Sequence, residues 1–186
     1  MSAGPLIVLT GPPGAGKTTV GRELAARFQP LACVLESDWW WTTIVSGRIP
    51  PWETTAHDQN RSVVQSFAAA ACIMAQRGYA TVLEGVVGPW MLDLVLQEAE
   101  PRSLLTHFVV LRPTIEVTLE RAKSRAGDER VPGHPALTDE GPIRKMWQAF
   151  SQLGEHEDKV IDTTDLTVAE TVERAWSMVA DRSVLI

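Results

Sequence analysis

The sequence predicts a three-layer α/β fold with a five-stranded parallel sheet, and two observations lead to this prediction. Short, continuously apolar segments alternate along the chain with longer segments whose apolar residues have helical spacing. Continuous apolar runs are typical of strands that are buried on both faces, and parallel strands require crossover connections, which are usually helices. The chain has 186 residues, 45% of them hydrophobic. We therefore expect residues 1–186 to form one domain.

The first half of the chain contains three predicted strands and three predicted helices. Pro30 ends the first helix, and Gly78 ends a long alanine-rich helix. Gly47, Pro50 and Pro51 interrupt residues 36–57, which we interpret as an irregular insert on the acceptor side of the site. In order, the elements are strand 6–9, helix 17–28, strand 31–35, helix 58–77, strand 81–83 and helix 89–100.

The second half of the chain repeats this alternation around a charged segment rich in glycine and proline. Residues 126–142 form that segment, and we interpret it as a mobile lid. The helix after it carries its apolar residues between Ile143 and Phe150. The other predicted elements are strand 104–111, helix 114–126, strand 159–162 and helix 168–180. Five strands separated by helices complete the predicted sheet.

Composition and charge exclude several classes of protein. The 17 Lys and Arg against 23 Asp and Glu give a net charge of −6, which argues against nucleic acid as a partner. Cys33 and Cys72 form no CxxC pattern, which argues against a disulfide scaffold or zinc site and agrees with a reducing compartment. No apolar run is long enough to span a membrane. We expect a cytoplasmic monomer or small homo-oligomer.

A phosphate-binding loop follows the first strand. The segment Gly11-Pro12-Pro13-Gly14-Ala15-Gly16-Lys17-Thr18 matches the pattern GxxxxGK[ST] between a predicted strand and a predicted helix. Glycines allow several backbone N–H groups to converge on a phosphate, and the helix N-terminus adds its dipole. We expect Lys17 to reach the β- and γ-phosphates of ATP and Thr18 to coordinate Mg²⁺. Thr19 extends this predicted nucleotide site.

Acidic residues follow the second strand, at the sheet edge where ligands bind in parallel α/β folds. Asp38 is the predicted base that accepts the hydroxyl proton of a phosphoryl acceptor. Glu36 is a predicted Mg²⁺ ligand acting through water. As an alternative, Ser37 or Asp38 caps a short helix. The chain contains no Asn-Lys-x-Asp guanine reader, and strand four does not end in the acidic pair of ATPase motors.

Two arginines precede the predicted lid. Arg121 and Arg125 are four residues apart on a predicted helix and so share one face. Guanidinium groups suit bidentate contact with phosphates, so we expect both to bind ATP and to stabilise the transferred charge. The alternative is a solvated face paired with Glu120 or Asp128. Lys123 is expected to point elsewhere.

Together these motifs resemble the P-loop kinases of the nucleoside-monophosphate-kinase type. Besides the phosphate loop, the resemblance rests on Glu36-x-Asp38, on Arg121-x-x-x-Arg125 and on Asp162-Thr163-Thr164 before the last helix. Among small-molecule kinases, the chain is similar to gluconate kinase, shikimate kinase and especially chloramphenicol phosphotransferase. The resemblance implies that Asp38 deprotonates the acceptor and that the 162–166 loop, with Thr164, borders the adenine.

An acceptor site rich in tryptophan is the remaining prediction. Seven of the 12 aromatic residues are Trp, and five of these lie between positions 39 and 90. Three consecutive Trp residues cannot all be buried on one face of a helix or strand, so at least one should face a cleft or a partner. The alternative is that the Trp side chains pack the insert onto the sheet. The predicted acceptor residues are Asp38, Trp39, Trp40, Trp41, Arg48, Trp52, His57, Arg61, Glu84, Gly85 and Trp90.

The function predicted from these features is phosphoryl transfer. We expect an ATP- and Mg²⁺-dependent kinase that acts on a hydroxyl group of a bulky, partly apolar small molecule. The alternatives are a nucleotide-dependent regulator that phosphorylates no acceptor, a polynucleotide 5′-hydroxyl kinase, and a toxin-like kinase of nucleotide sugars.

Overall fold

The centre of the molecule is a five-stranded parallel sheet in the computed structural model, which describes residues 2–127 and 136–186. The strands are β1 (Leu6–Thr10), β2 (Ala32–Glu36), β3 (Ala80–Gly85), β4 (Thr106–Leu111) and β5 (Val160–Ile161). Their spatial order is β2-β3-β1-β4-β5, and every neighbouring pair is parallel. The predicted sheet is therefore confirmed. β1 is the central strand, so the loop that follows it lies in the middle of the row formed by the carboxyl ends of the strands.

Seven α-helices occur within the described residues, and all but the last lie between strands. They are α1 (Lys17–Ala26), α2 (Ser37–Trp41), α3 (His57–Gln76), α4 (Pro89–Ala99), α5 (Ile115–Lys123), α6 (Glu140–Ala149) and α7 (Val168–Ala180). Three short 3-10 turns span Thr54–Ala56, Glu100–Arg102 and Gly154–Lys159. None of the described helices is long and apolar enough to cross a membrane.

Two hydrophobic cores cover the two faces of the sheet. On one face, Leu6 and Val8 of β1 pack with residues of α3 and α4. On the other, Ile7 and Leu9 pack with residues of α1 and α7. This alternation along β1 explains why its sequence is apolar at each position from 6 to 9, since a strand between two helical layers has no solvated face. The three-layer prediction is confirmed.

The insert after β2 is more regular than the sequence predicts. Its first residues form α2, and it ends in the 3-10 turn Thr54–Ala56. The capping alternative for Ser37 and Asp38 is wrong, because Glu36 occupies the N-cap position and both residues lie in the first turn. Gln59 anchors the middle of the insert: its amide donates to Ile49 O at 2.7 Å and accepts from Ile49 N at 2.9 Å.

The segment predicted as a lid, residues 126–142, is described only at its two ends. Residues 128–135 lie outside the described part of the chain. Of the rest, residues 124–127 form a turn after α5, and α6 begins at Glu140, where the Asp139 side chain accepts from Gly141 N. The final three residues of the predicted segment are therefore helical. The ion pair between Lys123 Nζ and Glu140 Oε1 (2.6 Å) joins α5 to α6. The Lys123 side chain is thus directed toward α6.

Candidate functional site

The loop between β1 and α1 adopts backbone conformations that favour glycine. Gly14 has a φ of +87°, and a Cβ atom there would lie 2.5 Å from the carbonyl oxygen of Thr118. Gly16 is the N-cap of α1 in the left-handed region. A side chain at position 14 would thus be excluded by both conformation and space. Backbone conformation at both positions, and the close approach of Thr118 to Gly14, therefore explain these two glycines independently of any ligand.

Lys17 and Thr18, the first two residues of α1, carry the polar groups of the loop. The Lys17 ammonium group donates to the carbonyl oxygens of Gly11 (3.1 Å) and Pro12 (3.0 Å), so it lies over the loop. The Thr18 hydroxyl donates to Glu84 Oε1 at 2.9 Å. Glu84 is near the end of β3, next to β1 in the sheet. A hydroxyl and a carboxylate therefore meet at the start of α1, beside a lysine.

Glu84 is an ionisable group in an unusually buried position. It is 4% exposed. Burial raises the pKa of this carboxyl group above its ordinary value, and the nearby Asp38 charge acts in the same direction. The positive charge of Lys17 and the hydrogen bond from Thr18 partly oppose this effect. A carboxylate held in this way favours a cation beside it, since a positive charge offsets the cost of its burial.

Glu36 is paired with Arg22 and not with Thr18. Its Oε1 accepts a hydrogen bond from Arg22 Nε at 2.9 Å. Glu36 is also absent from the described lining of the main cavity, whereas Glu84 belongs to it. The geometry therefore favours Glu84 over Glu36 as the carboxylate beside Thr18. The sequence places both Glu36 and Glu84 near strand ends, and only the sheet order, with β3 next to β1, distinguishes Glu84.

One large cavity connects the phosphate loop to the insert. Its volume is about 1020 Å³, at the upper end of the range for small-molecule sites. From the loop side it is lined by Pro13, Gly14, Gly16, Lys17, Thr18 and Thr19. Gly11, Pro12 and Ala15 do not line it, although Gly11 and Pro12 hold Lys17 through their carbonyl groups. A cavity of this size has room for a nucleotide and a second ligand.

The two arginines line this cavity from two neighbouring positions, one on α5 and one in the turn that follows it. Arg121, on α5, lines it, and its Nη2 donates to Thr163 O at 3.0 Å, which ties α5 to the loop after β5. Arg125 lies in the turn after α5 and also lines the cavity. Thr164 does not line it; its hydroxyl accepts from Thr114 N and donates to Asp162 Oδ1. Both arginines thus line the cavity, while Thr164 holds the β5–α7 connection together.

The three consecutive tryptophans have three different environments. Trp41 lines the cavity. Trp40 packs against the α3–α4 core, 6.4 Å from the Phe67 ring centre, and Trp39 is 47% exposed. The consecutive residues of α2 point in different directions, because they lie about 100° apart around its axis. The expectation that at least one of the three faces a cleft is confirmed.

The other predicted acceptor residues divide into two groups. His57 and Arg61 do not line the cavity, and Arg61 instead pairs with Asp93 at 3.2 Å. The predicted residues that do line it are Asp38, Trp41, Arg48, Trp52, Glu84, Gly85 and Trp90. Of these, Trp41, Trp52 and Trp90 lie on the side away from the phosphate loop, whereas Glu84 lies beside Thr18. Asp38 is in the first turn of α2.

Several lining residues were not predicted from the sequence. Ser37 adjoins Asp38, and Asn60, Val64 and Phe67 of α3 form one wall. Lys145 of α6 donates to Trp52 O at 2.9 Å and thereby links α6 to the insert. The spacing of the α3 residues, at i, i+4 and i+7, is the signal that places them on one face of the helix.

The comparisons with known proteins agree with this geometry. The family model described as "AAA domain" matches residues 6–153, which include the phosphate loop and most of the cavity lining. A search of curated proteins finds no significant match.

Three solved structures illustrate the similarity of fold. A sugar kinase from a Janibacter species has 20% identity and a TM-score of 0.66, with 95% of each chain covered. A gluconokinase from Sinorhizobium meliloti has 18% identity and a TM-score of 0.61, with 97% of this chain and 94% of that chain covered. The tunicamycin resistance protein of Deinococcus radiodurans has 22% identity and a TM-score of 0.59, with 95% of each covered. The chain therefore has the fold of P-loop kinases over nearly its whole length.

Proposed function

The chain belongs to the P-loop family described as the AAA domain, and from this premise we propose that it transfers the γ-phosphoryl group of ATP to a hydroxyl group of a small, bulky and partly apolar molecule. The observation that carries the proposal is a shared cavity. Lys17 and Thr18 of the phosphate loop line the same cavity as Asp38, and its far end is largely apolar. A site of this kind can hold a nucleotide and an alcohol side by side.

Asp38 is the proposed catalytic base. It lies where β2 passes into α2, at the carboxyl edge of the sheet and close enough to Glu84 to influence its pKa. A carboxylate there accepts the proton of the acceptor hydroxyl as its oxygen attacks the γ-phosphorus and the bond to the β-phosphate oxygen breaks. Lys17, Arg121 and Arg125 then stabilise the negative charge on the phosphates.

Thr18 and Glu84 fit a Mg²⁺ site. Their oxygens lie 2.9 Å apart, and Glu84 is a buried carboxylate that gains from a neighbouring cation. No cluster of three or more His, Cys, Asp or Glu that could hold a metal ion occurs among the described residues, which agrees with an ion held mainly by phosphates and water. The chemistry that Mg²⁺ supplies when bound is neutralisation of charge on the β- and γ-phosphates.

The apolar end of the cavity supports a bulky acceptor. Trp41, Trp52 and Trp90 contribute wide surfaces, and Phe67 and Met91 lie among them. Such a lining favours the burial of rings or branched carbon skeletons through the hydrophobic effect. Polar and charged groups, among them Asp38, Arg48 and Asn60, accompany these surfaces and can orient the ligand.

Acceptor-dependent ADP release tests the proposal directly. Purified protein with ATP and Mg²⁺ is offered sugars, nucleosides, hydroxylated antibiotics and aryl alcohols, and ADP is measured with and without each acceptor. We expect at least one bulky alcohol to stimulate ADP release. The variant Asp38→Asn should lower the stimulated rate by about 10²–10⁴-fold, the usual contribution of a general base, while ATP binding is retained.

Asp58→Asn is the matched control, because Asp58 is exposed at the start of α3 and does not line the cavity. It should keep the wild-type rate. Unchanged phosphoryl transfer by Asp38→Asn would contradict the assignment of the base. ATP binding without phosphorylation of any acceptor would contradict the kinase proposal and favour a regulatory role.

A further inference from the structure

Asn60 presents a buried oxygen atom that has no hydrogen-bond partner. Its side-chain nitrogen donates to Pro51 O at 2.7 Å. A carbonyl oxygen can only accept, so this bond fixes which end of the amide faces Pro51. The other end, Oδ1, is buried, and no group in the described part of the chain donates to it. The residue as a whole is 9% exposed.

This amide belongs to the wall of the main cavity. Asn60, Val64 and Phe67 all line it and lie on one face of α3. Val64 and Phe67 are apolar, so Asn60 is the polar end of an otherwise hydrophobic stripe. Pro51 and Trp52 of the insert line the cavity beside it. Asn60 therefore lies at the acceptor end of the cavity.

An unpaired carbonyl oxygen in such a wall is unfavourable. Buried polar atoms are paired in the great majority of cases, and each exception calls for an explanation. Oδ1 has less than 1 Å² of accessible surface, so a donor group on a ligand reaches it when the amide shifts toward the cavity. Such a ligand satisfies Oδ1, whereas a ligand without a donor leaves it unpaired, as it is in the free protein. The atom is thus suited to discriminate between ligands of the same shape.

We propose that Asn60 recognises a second hydrogen-bond donor, a hydroxyl or amide N–H group, on the acceptor. This inference rests on the proposed function and narrows its substrate class. The acceptor then has an apolar body and at least two polar hydrogens, one on the hydroxyl that Asp38 deprotonates and one that is donated to Asn60 Oδ1.

A purely structural role explains the side-chain nitrogen of Asn60, which is paired with Pro51 O, but not its unpaired oxygen. The neighbouring Gln59 also holds the insert, and both ends of its amide are paired with Ile49. Asn60 holds the insert through its nitrogen alone. Gln59 is therefore the matched control, because its replacement loosens the insert without removing the unpaired oxygen.

The test compares acceptors that differ only in the second group. Aryl-substituted alcohols are prepared in three forms, with the second position carrying a hydroxyl, a methoxy group or hydrogen, at increasing distances from the first hydroxyl. The methoxy form retains an oxygen but cannot donate. For at least one skeleton, wild-type kcat/KM should be about 10–100-fold higher for the hydroxyl form than for both others.

The variants then identify the residue that is responsible. Asn60→Leu should reduce this preference to near unity, whereas Gln59→Leu should preserve it, with thermal unfolding used to verify that both variants are folded. Phosphorylation without a preference for the hydroxyl form would overturn the inference and leave the kinase proposal standing. A preference that survives Asn60→Leu, or that Gln59→Leu abolishes equally, would also overturn it. If no alcohol in any form is phosphorylated, the proposed function fails and this inference with it.

Discussion

Replacement of Gly85, the last residue of β3, tests how strongly the rate depends on the position of the proposed base, Asp38. A Cβ atom at this position would lie 2.5 Å from Ser37 Oγ and 2.7 Å from Ser37 Cβ. Ser37 is 5% exposed and precedes Asp38 in the first turn of α2. Because φ at Gly85 lies outside the left-handed range, the backbone itself tolerates alanine. The variant Gly85→Ala therefore acts on α2 through steric contact alone.

The size of the effect follows from these distances. Ordinary contacts between carbon atoms are about 3.5–4.0 Å, so the Ser37 side chain must retreat by about 1 Å. A displacement of that size in a catalytic group can cost about 100-fold in rate. Overpacking of this kind also destabilises a fold by about 1–3 kcal/mol, with about 2–4 °C in Tm for each kcal/mol in a chain of this size.

Three measurements distinguish displacement of the base from general damage. We expect Gly85→Ala to lower kcat/KM for the acceptor by about 100-fold and to lower Tm, with a smaller effect on ATP affinity measured by nucleotide fluorescence. The second-site change Ser37→Gly should restore much of the loss, and Ser37→Ala less of it, because its Cβ remains. Gly141→Ala is the control, since its Cβ would meet Asp139 Oδ1 at 3.6 Å. Wild-type kinetics in Gly85→Ala, or a loss that Ser37→Gly does not relieve, would refute the reasoning.

Three further predictions concern Thr18, Glu84 and the start of α7. Thr18→Val should abolish Mg²⁺-dependent turnover, whereas Thr18→Ser should retain most of it, because serine keeps the hydroxyl that donates to Glu84; equal rates for the two variants in steady-state assays would contradict this. Burial raises the pKa of Glu84, so the folded chain binds this proton more tightly than the unfolded chain, and ionisation costs stability as the pH rises above the unfolded value of about 4.3. In Mg²⁺-free buffer at pH 8 the free energy of unfolding of Glu84→Gln should therefore exceed that of wild type by about 1–3 kcal/mol, which raises Tm, and the difference should vanish near pH 4; a lower Tm than wild type at pH 8 would disprove this sign. Thr167→Ala removes the capping box that Thr167 forms with Glu170 and should cost about 1 kcal/mol in chemical denaturation, whereas an unchanged midpoint would show that the cap contributes nothing.

The order of elements follows largely from local sequence, and so it was predictable. Strands with two buried faces contain continuous apolar runs, as β1 does from residue 6 to 9, and α3 ends where Gly78 allows a left-handed turn. The segment 36–57 was predicted less well. Its short helix α2 has no side-chain cap, and its anchors, Gln59 and Asn60, lie outside the segment in sequence. Tertiary hydrogen bonds of this kind leave little trace in local composition.

By itself, the sequence determined the phosphate loop, since its glycines, lysine and threonine are contiguous and their backbone geometry is local. Only the tertiary structure decided which carboxylate accompanies that loop. Glu84 is 66 residues from Thr18 in sequence, yet its Oε1 accepts a hydrogen bond from the Thr18 hydroxyl at 2.9 Å. Glu36 instead accepts a hydrogen bond from Arg22. The same holds for the tryptophans, of which Trp41 faces the cavity and Trp39 faces solvent. Side-chain direction depends on the packing of neighbouring elements, and the spacing of residues along the chain does not specify it.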